Sequence, residues 1–170
     1  MSDYELATTL GLEANESESL LRLVWDPCDI DPNTGQIMTS AFEKSDLRDS
    51  QRGLSVDQKS IAVRAAMVCV AKNQYENAKG RKREAPMLAE VLTSKATSLA
   101  FKDDPRRALA AIQSPIPAND DCPANPAHVE IFNITDRNSK SAANELRILL
   151  QEIFSIPVPF DRLVPPDAGE

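Results

Sequence analysis

Hydrophobic and polar positions alternate most clearly at His128–Ile134. Val129 and Ile131 face one way there, and His128, Glu130, Phe132 and Ile134 the other, which predicts a strand. Residues 140–154 carry Ala142, Leu146, Leu149, Leu150 and Ile153 on one helical stripe, which predicts an amphipathic helix. The apolar run Leu20, Leu21, Leu23, Val24, Trp25 stops at Asp26-Pro27 and reads as a short strand, with a helical turn as the competitor.

The middle of the chain is less regular. Ser55 followed by Gln58 resembles a capping box, and the alanine-rich segment after it predicts a helix over about 56–78. Its expected buried stripe is Ile61, Ala65, Val68 and Ala71, widened by Val63, Met67 and Val70, and Gly80 is its expected stop. Residues 86–101 fit either state, and the alternation at 88–93 favours a strand there. Pro105 suits the first turn of a short helix, PRRALAAIQ. Residues 26–53 read as a long loop pinned by Ile37, Met38, Ala41 and Phe42, and residues 114–126 as a proline-rich loop.

The expected fold class is α+β, a small sheet covered by two main helices. Residues 1–15 are expected to be loosely ordered, 16–156 to form one α+β domain, and 157–170 to run as a proline-rich extended tail.

Composition narrows the functional classes. The 42% apolar content supports a packed core, and no apolar run approaches the ~20 residues of a spanning helix. The acidic N-terminus lacks the basic and apolar regions of a secretory signal. Cys28, Cys69 and Cys122 are sparse and odd in number, so the expectation is three reduced thiols in a cytoplasmic protein. The net charge of −7 is unevenly spread. Residues 1–50 hold 11 acidic against 3 basic side chains, whereas 51–108 hold 12 basic against 6 acidic. An acidic chain disfavours nucleic acid overall, and the basic run Lys79-Gly80-Arg81-Lys82-Arg83 is the one local candidate for phosphate or nucleic-acid binding.

The stretch WDPCDIDPNTGQI, residues 25–37, has the oxygen spacing of a calcium loop at Asp29, Asp31 and Asn33. Thr34 stands where the loop needs glycine, Gln36 where it needs an apolar residue and Ser40 where it needs a bidentate acid. An acidic turn is the better reading, with Gly35 free to take positive φ. Zinc would need Cys28, Cys69, Cys122 and His128 together, at spacings unlike any CxxC module. No metal and no cofactor is expected, and GxxxxGK[ST], GxGxxG and GxSxG are all missing.

His128, the single histidine, shares a strand face with Glu130, a pairing that suits a base and its orienting carboxylate. Ser40, Ser55 and Asp26 are the loop candidates to act with it.

The elements TSAF (39–42), GLSVD (53–57) and NPAHVEIF (125–132), in that order, resemble a group of small uncharacterised bacterial proteins over roughly residues 20–150. The resemblance carries no activity. It implies a bacterial cytoplasmic origin and proximity of Ser40, Phe42, Ser55, Asn125 and His128. The chain departs from the group in its alanine-rich segment and basic loop at 56–85.

With no catalytic constellation recognisable, the leading expectation is a non-enzymatic binding or accessory protein. It would act through a protein partner docked on the proline-rich segments 114–126 and 156–166. The alternatives are a small enzyme using His128 with Glu130 and loop serines, and a nucleic-acid-associated protein using the 79–83 loop.

Overall fold

The computed structural model describes residues 11–48 and 52–166. The expectation for residues 1–10, and the last residues of the expected tail, lie outside that range. Among the described residues the architecture is α+β: a six-stranded antiparallel sheet with four α-helices, two of them long. The strands are β1 (Ser19–Pro27), β2 (Leu54–Gln58), β3 (Arg83–Leu92), β4 (Leu109–Gln113), β5 (His128–Asn133) and β6 (Val158–Pro159). Their order across the sheet is β4-β5-β2-β1-β3-β6. The helices are α1 (Arg64–Glu76), α2 (Thr93–Thr97), α3 (Lys140–Ile153) and α4 (Phe160–Leu163).

Alternation decides which face each side chain takes. Leu20, Val24, Leu54, Val56, Ala89, Val91, Val129 and Ile131 join the main apolar cluster, to which α3 adds Ala142, Ala143, Leu146 and Leu150. The α3 helix starts where its sequence says it should: Ser139 accepts a hydrogen bond from the Ala142 N–H at 3.0 Å, an N-cap. Ile37, Ala41 and Phe42 are buried in the same cluster, so they do pin the 26–53 loop. On the opposite face, Leu21 and Leu88 pack with Met67 of α1 and with Phe160 and Val164.

Three elements differ from the sequence reading. Ser55 is not an N-cap but the second residue of β2, and α1 begins only at Arg64, after an uncapped Val63. Leu54, Val56 and Gln58 are buried there, and pairing with β5 outweighs the local capping pattern. In α1 the expected Met67 and Ala71 are buried together with Ala66, while Ala65, Val68 and Val70 are exposed. PRRALAAIQ is not a helix, because Leu109–Gln113 is β4, buried on both faces and so without alternation to read. Residues 86–101, which fit either state, divide into the end of β3, covering the favoured strand as far as Leu92, and the short helix α2.

The C-terminal segment also departs from an extended tail. Val158 and Pro159 pair with Leu88 and Met87, and Phe160 is buried. Cys69 and Cys122 form a disulfide that ties α1 to the proline-rich loop, which corrects the expectation of three reduced thiols; Cys28 remains free. No helix among the described residues is long and apolar enough to cross a membrane.

Candidate functional site

The β2–β5 register builds the site. Ser55 lies opposite Glu130 and Asp57 opposite His128, which puts all four on the face away from the main cluster. Ser55 Oγ is 3.1 Å from His128 Nε2. His128 Nδ1 is 2.8 Å from the Ser114 carbonyl oxygen and 2.8 Å from Ser114 Oγ. A carbonyl oxygen only accepts, so Nδ1 carries a proton, and in the neutral form of the ring Nε2 presents its lone pair to the Ser55 hydroxyl. Ser114 is fixed in turn, because its N–H donates to the His128 carbonyl at 3.0 Å.

Asp57 and Asn125 complete this side. Asn125 Nδ2 donates to Asp57 Oδ1 at 2.7 Å. Burial pushes the Asp57 carboxyl above its ordinary value, opposed by the Asn125 hydrogen bond and by the charges of His128 and Arg22. Asn125 also exchanges backbone hydrogen bonds with Ile116, which closes the 114–126 loop on itself.

On the other side of Ser55 the sheet opens. β1 and β2 pair only at Leu20–Gln58 and Leu21–Asp57 and then diverge. Arg22 spans the gap: Nη1 donates to the Ser55 carbonyl at 2.7 Å, and Nη2 and Nε donate to the Ala41 carbonyl at 2.8 and 3.3 Å. Burial lowers the Arg22 pKa, against the raising influence of Asp46, Asp29, Glu43 and Asp57. The opening holds a cavity of about 230 Å³ that reaches Arg22, Asp29, Asp46, Ser55, Arg81 and Arg83. It shares Glu43, Gln74, Arg81 and Arg83 with an outer cleft of about 650 Å³ that also reaches Arg52 and Lys79.

The sequence candidates therefore separate. Ser55, Asn125 and His128 come together. Ser40 does not join the imidazole, since its hydroxyl bonds the Cys28 carbonyl at 3.0 Å and Asp29 Oδ1 at 3.3 Å. Glu130 faces Ser55, while the group that orients His128 is the Ser114 carbonyl. In the basic run, Arg81 pairs with Glu43 at 3.3 Å and Arg83 donates to the Gln74 carbonyl; Lys79, Arg81 and Lys82 are exposed and Arg83 is half-buried.

The Asp29–Gly35 stretch is an acidic turn. Asp29 Oδ2 accepts from the Trp25 N–H at 2.9 Å, Asp31 Oδ1 accepts from the Asn33 N–H at 2.8 Å, and Gly35 takes φ +75°.

Sequence reasoning missed Arg22 and Ser114. A lone arginine inside LLRLVW was the available signal for the first; nothing marked the second. Comparison with protein-family models, with curated proteins and with solved structures finds no match.

Proposed function

We propose that the protein is a small enzyme of the serine–histidine type, acting on an ester. The observation that carries this reading is the Ser55 Oγ–His128 Nε2 contact of 3.1 Å, with the far ring nitrogen held by a backbone carbonyl. Nucleophile, base and orienting group stand in a chain, as activation of a hydroxyl requires. Ser55 Oγ attacks the ester carbonyl carbon while its proton passes to Nε2. The imidazolium gives that proton to the departing alcohol. Water then attacks the acyl-serine, losing a proton to Nε2, and the acid leaves as Ser55 is restored. Asp57, opposite His128, favours the imidazolium when ionised.

The test is a fluorophosphonate probe followed by intact mass and peptide mapping. The expected result is one adduct, on Ser55, absent in Ser55→Ala and formed about 100-fold more slowly in His128→Gln. No adduct on Ser55, or a rate indifferent to His128, would sink the reading.

A second reading keeps the expectation of a binding protein acting through a protein partner. What favours it is an apolar groove of about 540 Å³ between α1 and the C-terminal segment, lined by Trp25, Val68, Tyr75, Pro86 and Phe160. The proline-rich segments support it less, since one is closed by the disulfide and the other pairs with β3. Its test is native purification with light scattering of wild type and Val68→Asp. A stoichiometric partner lost in the variant supports it, and a bare monomer in both removes it.

A further inference from the structure

The outer cleft and the inner cavity adjoin through Glu43, Gln74, Arg81 and Arg83, Ser55 lines the inner one, and the charge of this polar passage runs against that of the molecule. Among the described residues that line the two, Arg22, Arg52, Lys79, Arg81 and Arg83 are cationic, against the carboxylates of Asp29, Glu43 and Asp46. The whole chain carries −7. The three carboxylates are already engaged: Asp29 by the Trp25 N–H and Ser40, Glu43 by Arg81, and Asp46 by Arg52 at 2.6 Å. With Glu43 and Asp46 paired, Lys79, Arg83 and the half-buried Arg22 stand against the single charge of Asp29, a cationic excess of two.

Arg83 adds an independent observation. Its Nε is buried and has no hydrogen-bond acceptor among the described residues, although the same side chain donates to the Gln74 carbonyl. A buried guanidinium N–H without an acceptor is costly, and such groups ordinarily find one. Arg83 lines both cavities, so an oxyanion seated where they meet would supply it.

We infer that the passage is an oxyanion subsite, which binds the carboxylate or phosphate of an anionic ligand on Arg83 and Lys79. Its volume suits a small molecule. Resting on the enzyme reading above, the same inference names the substrate as an ester that carries a second, anionic group and presents its carbonyl to Ser55.

The experiment is calorimetric titration with malonate, inorganic phosphate and pyrophosphate at low salt. The proteins are wild type, Ser55→Ala, Lys79→Gln, Arg83→Gln and Arg83→Lys. Malonate binding alone identifies a carboxylate site, and phosphate or pyrophosphate binding alone a phosphate site. The expected result is saturable binding, retained in Ser55→Ala and weakened about tenfold in Arg83→Gln. Lys79 is exposed, so Lys79→Gln should fold normally and also weaken binding; added salt should weaken it in every protein. No binding of any probe, or equal binding by wild type, Lys79→Gln and Arg83→Gln, overturns the subsite. Anion binding without Ser55 labelling would refute the enzyme reading alone. Ser55 labelling without anion binding would refute the subsite alone.

Discussion

Arg22 of β1 donates to the backbone carbonyl of Ser55 on β2 at 2.7 Å, at the point where the two strands have stopped pairing. The guanidinium replaces the missing ladder there and also holds the Ala41 carbonyl. Arg22→Met keeps the aliphatic stem and strands both carbonyls. The expected loss is about 2–4 kcal/mol of stability, read by urea denaturation. Arg22→Lys should recover less than half, because an ammonium cannot span both acceptors. A Met variant as stable as wild type would show that the bridge is dispensable.

Gly53 sits against β5 with no room for a side chain. A Cβ there would lie 2.7 Å from the Glu130 Cβ and 3.2 Å from the Ile131 carbonyl oxygen. Gly53→Ala must push β2 away from β5, at a cost of about 1–3 kcal/mol. The same shift should lengthen the Ser55–His128 contact, so fluorophosphonate labelling should slow even where the variant remains folded. Unchanged stability and labelling would mean that the strands yield freely.

Burial of Asp57 makes a pH prediction of definite sign. Its folded-state pKa lies above the unfolded value, so the folded chain binds the proton more tightly between the two. Its contribution to stability is present below that window and lost as pH rises through it. Asp57→Asn keeps an acceptor for Asn125 and removes the titration. The variant should gain stability relative to wild type at pH 7 and lose that advantage near pH 4. Asp104, held at about 2 by Arg106, acts in the opposite sense, which is why the difference between wild type and variant is the quantity to measure. A difference independent of pH would show that Asp57 does not titrate abnormally.

The disulfide closes a loop over a sequence separation of 53. By loop-closure entropy it stabilises the fold by about 4 kcal/mol, a value that strain or residual unfolded structure would reduce. Iodoacetamide applied to unreduced, denatured protein should label Cys28 alone, and prior reduction should expose all three cysteines. Cys69→Ser should lower the melting temperature in oxidising buffer and leave it unchanged relative to reduced wild type. Three labels without reduction would exclude the bond.

Alternation in β5 was legible in the sequence because Val129 and Ile131 are fully buried between the half-buried polar His128 and Glu130, and the stripe of α3 because Ala142, Leu146 and Leu150 enter one cluster, so local period and tertiary role coincide there. The pinning of the loop by Ile37 and Phe42 was legible for a related reason: large apolar side chains in a polar stretch need a core to enter. His128 and Ser55 were both candidates, one as the single histidine and the other as a loop serine able to act with it.

By itself, then, the sequence determined an α+β chain, the clearest strand and helix, and the residue types from which a site could be built. The tertiary structure decided the rest. Pairing with β5 turned an apparent helix start at Ser55 into a strand and brought its hydroxyl to His128. Burial on both faces erased the periodicity that would have disclosed β4. The partners of Arg22, the Ser114 carbonyl that fixes the imidazole and the Cys69–Cys122 bond all join segments far apart in the chain, and local period carries no information about such contacts.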